Sequence, residues 1–298
     1  MLAFHFNVYA AKESAMSIGP LSIPRLNANG ASIPFIGFGT GGLLGQIATS
    51  SVESAIRTGY RHIDTARKYG NETAVGAGIR ASGVARSELF ITTKVSHENL
   101  HTADFNRSLD ESLSALGLDQ IDLLLVHWPN PAIPLVETLT ALAAAKRRGL
   151  ARHVGVANFT TALLAQAIAI CDEPLACNQV EFHPYLDQSK LQAVARQHGL
   201  SIIGYCPFMR GGEVLTDPVI RAIADAHDRT PAQTILRWIT QNDGVGAIPR
   251  STNPERIRQN LDVFGFRLDP GEMARIDALR TKNKRRANPP HAPIWDAA

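Results

Sequence analysis

Eight short runs rich in aliphatic and β-branched residues recur along the chain: PFIGFG (34–39), RHIDTA (61–66), LFITTKV (89–95), IDLLLVHW (121–128), RHVGVAN (152–158), ACNQVEF (176–182), SIIGYCP (201–207) and GVGAIP (244–249). Each has the length and residue types of a β-strand. Helical periodicity fills the intervals. Residues 104–117 place Phe105, Leu109, Leu113 and Leu116 on one face and stop at Gly117, the residue a helix C-terminus favours. Residues 135–149 collect basic side chains before Gly149, and 190–199 end the same way at Gly199, as the helix dipole favours. Strands repeating at roughly 25 to 45 residues with helices between them predict β/α units. Eight units predict an α/β fold, a single closed (β/α)8 TIM barrel. An open doubly wound sheet shows about six strands and a second domain. Ahead of the first barrel strand, two short runs flank Asn29-Gly30, a type I′ hairpin signal. The hairpin is placed to plug the barrel bottom. We therefore expect an extension over 1–19 and one barrel over 20–298, closed by a C-terminal loop.

GFGTGG (37–42) matches the G-x-G-x-x-G spacing and follows an apolar run. In a dinucleotide-binding turn the glycines open directly onto a helix N-terminus, where the pyrophosphate sits. Here the helical pattern starts at about Ser50 or Ser51, with a loop over 43–50 between. A second match, Gly76-x-Gly78-x-x-Ala81, lies inside a helical stretch with no strand before it. Both are chance hits on a weak pattern.

The 298 residues are 45% hydrophobic, with net charge +3. The basic cluster KNKRR (282–286) has no interleaved aromatics, so it reads as a solvated surface and not a nucleic-acid patch. Cys171, Cys177 and Cys206 have no metal-binding spacing, which fits a reduced intracellular setting. Residues 1–16 lack a basic leader, making a poor signal peptide, and Met16 offers a second start. No run reaches membrane-span length. A soluble cytoplasmic protein is expected.

Functional groups of a (β/α)8 barrel collect at the C-terminal ends of its strands. Asp64, Lys94 and His127 end strands two, three and four, and Tyr69 follows five residues after Asp64. Taken singly, each has an ordinary structural reading; four on neighbouring strand ends point to chemistry. A phenol is a weak acid that a nearby ammonium strengthens. An aspartate offsets the burial of the lysine, and a histidine orients a carbonyl oxygen. The set suits proton donation to a carbonyl. His62, Asp64, His127 and His183 are conceivable metal ligands, but there is no HxH or HExxH motif, and a metal is not expected. After strand eight, Asn253 and Pro254 read as N-cap and first residue of a helix. Ser251, Thr252, Arg250 and Arg256 surround that terminus, where barrels often bind phosphate.

With these residues in place, the chain from about residue 20 onward resembles the aldo-keto reductase family. GYRHIDTARKYGNE (59–72), ITTKV (91–95), LLLVHWP (123–129), VGVANF (154–159), NQVEFHPYL (178–186) and IPRSTNPERIRQN (248–260) carry the resemblance, in order. Within the family it is similar to bacterial 2,5-diketo-D-gluconate reductases, and APIWD (292–296) supports that subgroup. The resemblance implies an NADPH-dependent reduction of an aldehyde or ketone to an alcohol. Tyr69 would be the general acid, tuned by Lys94 and Asp64, with His127 orienting the carbonyl. Asn158 and Gln179 would bind the nicotinamide carboxamide and Tyr205 would stack on the ring. Arg250, Ser251, Thr252 and Arg256 would hold the adenosine 2′-phosphate, with Asn260 near the adenine and Gly39 and Thr40 near the cofactor. It also implies a monomer acting on a small-molecule carbonyl, without nucleic acid or membrane partners.

Two positions depart from the family pattern. Ala157 replaces a usual serine, which removes one carboxamide contact. Ser96 stands where the family often has a bulky aromatic, which by the resemblance would widen the substrate pocket, and tolerance of bulky ketones is expected. Trp128, Phe159 and Trp295, with Phe38 and Phe208, are candidate apolar walls. Sugar-derived ketones, methylglyoxal-like aldehydes and terpenoid ketones all stay open as substrates. A non-catalytic NADPH-binding sensor module and a metal-dependent barrel hydrolase are the competing readings.

Overall fold

Eight parallel strands form the sheet: β3 (Phe38–Gly39), β4 (His62–Asp64), β5 (Phe90–Val95), β6 (Ile121–Val126), β7 (Ala151–Ala157), β8 (Leu175–Glu181), β9 (Ser201–Tyr205) and β10 (Val245–Ala247). They are ordered sequentially across the sheet. The computed structural model describes residues 23–296; the expected extension over 1–19 lies outside them. The sheet closes on itself. Ile36 bridges Ala247 in parallel, the Gly37 and Gly39 amides donate to the Ala247 and Pro249 carbonyls at 2.9 and 3.0 Å, and the Ala247 amide donates to Phe35 at 2.8 Å. The predicted (β/α)8 barrel is the fold.

Helices α1 (Gly45–Thr58), α2 (Glu72–Ala81), α3 (Thr102–Leu116), α4 (Leu135–Arg147), α5 (Thr161–Ile170) and α6 (Ser189–Gln197) each follow one strand. Helices α7 (Pro218–Ala226) and α8 (Pro231–Gln241) lie between β9 and β10, and α9 (Pro254–Leu261) and α10 (Pro270–Asp277) follow β10. The strands read as near-continuous apolar runs because both faces are buried. On β6, Leu123 and Leu125 point into the barrel, while Leu124 and Val126 pack outward against the helices.

The hairpin β1 (Arg25–Ala28) and β2 (Ala31–Pro34) turns at Asn29 and Gly30, with φ of 45° and 84°. Its Leu26, Ala31 and Ile33 join Phe90, Leu123, Leu125, Cys177, Ile203 and Ile248 in the core inside the barrel. The Asn29 amide donates to the Leu175 and His198 carbonyls at 2.8 and 3.1 Å, tying the turn to the barrel bottom.

One boundary differs from expectation. Helix α1 begins at Gly45, not at Ser50 or Ser51. Its buried face is Ala48, Ser51, Val52, Ala55 and Ile56, while Leu44 and Ile47 are exposed. Small residues face the core and large apolar ones face out, so hydrophobic periodicity misreads the first turn. The loop after Gly42 is therefore shorter than predicted. The glycines nevertheless serve packing. A Cβ at Gly37 would lie 2.5 Å from the His62 ring, and one at Gly39 would lie 2.8 Å from the Ile248 carbonyl oxygen. The second match has the same basis: a Cβ at Gly76 would strike the Leu116 backbone, and one at Gly78 would lie 2.5 Å from the Thr49 carbonyl. There α2 passes close to α3 and α1.

Candidate active site

Asp64 ends β4, Lys94 sits near the end of β5, His127 follows β6, and Tyr69 closes the 3-10 turn Arg67–Tyr69. The barrel brings all four together. Lys94 Nζ donates to Asp64 Oδ1 at 2.5 Å and to the Thr65 carbonyl at 2.7 Å. Its ammonium lies 5.3 Å from the centre of the Tyr69 ring. The Tyr69 and His127 rings meet edge to face with centroids 5.5 Å apart. Asp64 and Lys94 are buried, whereas Tyr69 and His127 reach the rim. The Asp64 backbone is fixed from the first strand, because the amide and hydroxyl of buried Thr40 both reach its carbonyl at 3.0 Å.

Burial works against charge throughout this cluster. It opposes the Lys94 ammonium, but Asp64 and Tyr69 hold Lys94 above the ordinary lysine value. Burial pushes the Asp64 carboxyl up, against the pull of Lys94 and Gln179. Tyr69 differs from the simple expectation that the ammonium makes it a stronger acid. Burial outweighs Lys94, and the phenol stands above its usual value. Burial, with Lys94, His97 and His291, holds His127 well below the usual histidine value. The cluster thus presents a protonated phenol and a neutral imidazole at neutral pH.

The groups expected to meet the nicotinamide are joined to one another. Tyr205 donates its hydroxyl to Asn158 Oδ1 at 2.6 Å, and Asn158 Nδ2 donates to the His127 carbonyl at 2.9 Å. Asn158 adopts φ of 63°, a left-handed conformation that asparagine tolerates better than most residues. Gln179 Nε2 donates to Asp64 Oδ2 at 2.7 Å, which links β8 to the central pair. Ala157 is buried inside the barrel.

At the end of β10, Asn253 caps α9 by accepting the Arg256 amide at 3.0 Å, and Pro254 is the first helical residue, as predicted. Arg250 Nη1 donates to the Gly41 carbonyl at 2.5 Å, joining this corner to the first strand's loop. Arg250, Thr252 and Arg256 are exposed, Ser251 is half-buried and Asn260 is buried. The one carboxylate nearby on α9, Glu255, is engaged by Arg258 and Gln259. Two guanidinium groups, two hydroxyls and a helix N-terminus make a donor set suited to a phosphate.

The substrate-side residues fall into two groups. Ser96 is buried and donates to Glu98 Oε2 at 2.9 Å, and Trp128 packs edge to face with Trp295, centroids 6.0 Å apart. Phe38 and Phe159 are buried in the layer between strands and helices, and Phe208 packs partly buried against that layer. Trp295 and Phe159 line a cavity of about 240 Å³ under the C-terminal segment, with Thr160, Leu186, Gln188 and Arg285. None of the four central residues lines that cavity. Among the described residues no cluster of three His, Cys, Asp or Glu side chains could hold a metal.

Sequence reading overlooked what anchors the C-terminal segment. Glu181 is fully buried and accepts the amides of Arg286 and Ala287 at 2.8 and 2.7 Å, while His183 Nε2 lies 2.8 Å away. The signal was present: alternation along β8 sends Cys177, Gln179 and Glu181 to the same face. It also overlooked the stacked rings of His97 and His291, centroids 3.7 Å apart. They are distant in sequence, and no pattern links them.

Residues 36–281 match the model of the aldo/keto reductase family. The chain is 43% identical over 268 residues to methylglyoxal reductase DkgB of Escherichia coli O157:H7, covering 89% of this chain and 100% of that protein. It is 44% identical over 276 residues to morphine 6-dehydrogenase of Pseudomonas putida, covering 87% and 92%. Among solved structures, a chain assigned as 2,5-diketo-D-gluconic acid reductase B superposes with a TM-score of 0.90 at 39% identity, covering 92% of this chain and 98% of that one. The Bombyx mori aldo-keto reductase in complex with NADP superposes with a TM-score of 0.83 at 35% identity, covering 89% and 95%.

Proposed function

The chain belongs to the aldo/keto reductase family, and on that premise we propose that it reduces an aldehyde or ketone to the alcohol with Tyr69 as proton donor. The cofactor is NADP(H). Convergence of Tyr69 on Lys94, Asp64 and His127 carries the reading.

When bound, NADPH supplies the hydride that reaches the carbonyl carbon. The protein supplies the proton and the geometry. Tyr69 gives its phenolic proton to the carbonyl oxygen as negative charge develops there. Lys94, held in place by Asp64 and the Thr65 carbonyl, favours the phenolate that remains. His127, neutral because it is buried beside positive charge, offers an N–H to the same oxygen and fixes its direction. Asn158 and Gln179 would take the carboxamide, and Tyr205 would cover the ring. Arg250, Ser251, Thr252 and Arg256 would hold the 2′-phosphate, with Asn260 beside the adenine and Gly39 and Thr40 behind the cleft. Ala157 offers no hydroxyl to the carboxamide.

Position 96 favours a roomy pocket, since a serine there is turned toward Glu98. Its relatives' names span the range that such a pocket could meet: methylglyoxal is small and morphine polycyclic. A monomeric cytoplasmic enzyme completes the reading. The first test is a fluorescence titration with NADPH and NADH, followed by a panel of aldehydes and ketones. Tight NADPH binding, weaker NADH binding and carbonyl-dependent NADPH oxidation are expected. Failure to bind either nucleotide would overturn the reading.

A further inference from the structure

The C-terminal segment crosses the barrel mouth as a strap pinned at both ends. At one end Glu181 accepts the Arg286 and Ala287 amides. At the other, Asp296 accepts the Thr161 amide and hydroxyl at 2.9 and 2.6 Å. Among the described residues, no backbone–backbone hydrogen bond joins the chain between these pins to the barrel; within it the Ala292 amide donates to the Pro289 carbonyl and Trp295 Nε1 donates to Asn288 Oδ1 at 2.8 Å. Ring contacts hold the middle. His291 stacks on His97 with centroids 3.7 Å apart and 14° between planes, and Trp128 meets the His291 edge at 5.4 Å. Trp295 lies against Trp128 on one side and under the Arg285 guanidinium, 3.7 Å away, on the other. His97 belongs to a fixed loop, because Asn130 Nδ2 donates to its carbonyl at 2.9 Å. His291 is carried by the strap, between its two pins. His97 directly follows buried Ser96, and both histidines act on the nearby His127.

We propose that the stacked His97–His291 pair is a proton-operated gate on the substrate mouth, closed while His97 is neutral and opened by acid, and that it decides whether bulky carbonyls enter. The proposal rests on the reductase reading above. Parallel imidazoles in contact cannot both carry charge without repulsion. The surrounding charges set the sign. Glu98, next to His97, favours its protonation, but Glu98 is itself engaged by Lys68 at 2.7 Å and by Ser96. Lys68 contributes positive charge beside His97 from the turn after β4, the Arg285 guanidinium lies over the Trp295 ring, and Asp296 is engaged by Thr161. Burial, His291 and Lys68 together hold His97 below the usual histidine value, against Glu98. A depressed histidine favours the closed stack when neutral, and that preference is lost as pH falls through its titration.

The test compares kcat/KM for a small aldehyde, propanal, and a fused-ring ketone, tetralone, followed by NADPH oxidation between pH of about 8 and about 5.5. Their ratio cancels the pH dependence of Tyr69 and of cofactor binding, which both substrates share. In the native protein the tetralone-to-propanal ratio should rise about tenfold as pH falls. His291→Phe keeps a stacking ring without a titrating group, and its ratio should stay low and flat. His291→Ala should give a high, flat ratio. A flat ratio in the native protein, or an unchanged pH dependence in His291→Phe, would overturn the gate while propanal turnover persists. Absence of turnover with both substrates would instead remove the reductase reading, and the gate with it.

Discussion

Tyr69 carries the account at the scale of single residues, and its environment has a sign that can be checked. Burial raises the phenol and Lys94 lowers it, with burial the stronger. A proton donor must hold its proton, so reductase activity should persist through neutral pH and fall only as pH rises past the ordinary phenol value of about 10. Lys94→Met should move that alkaline fall higher still, seen in a pH profile of kcat. It should also destabilise the fold by about 3–5 kcal/mol, because Asp64 is left as an unpaired buried carboxylate. An alkaline limb that moves down in the variant would contradict the assigned balance. Asp64, Lys94 and His127 were legible in the sequence because each sits at or beside the end of an apolar strand run, and Tyr69 because it follows Asp64 by five residues at the same barrel face. The bond by which the Gln179 amide holds Asp64 was not. The partner lies across the barrel, and only closure brings the two together.

Among the elements, strands were easier to read than the helix beside the first of them. Buried on both faces, the strands are marked by composition alone. Helix α1 hides its start because Ala48 and Ser51 face the core and Leu44 and Ile47 face outward. The paired glycines of α2 were visible as a motif, but their cause was not. Gly76 lets α2 approach the end of α3 until only a hydrogen fits beneath the Leu116 backbone. Gly76→Ala, normally a gain in a helix, should therefore destabilise the protein, by about 2 kcal/mol or more. Thermal or denaturant unfolding would measure it, and a stabilised variant would refute the close approach. The hairpin was readable from Asn29-Gly30, since that pair both makes the turn and supplies the amide that docks it.

For the whole molecule, the eightfold repeat was legible and the strap was not. A barrel follows from counting strands and spacing them. The strap depends on partners more than a hundred residues away, Glu181 for its start and Thr161 for its end. No local preference in 283–296 predicts that path. The candidate walls Phe159 and Trp295 line a cavity that none of the central four residues lines. The claim on which everything else depends is that a cofactor-binding barrel uses Tyr69 to complete a reduction. The direct test is a Tyr69→Phe variant, with NADPH affinity and carbonyl-dependent turnover measured on one preparation. Affinity should stay within about twofold of the native protein while kcat falls by about 100-fold or more. Native turnover in the variant would contradict the account.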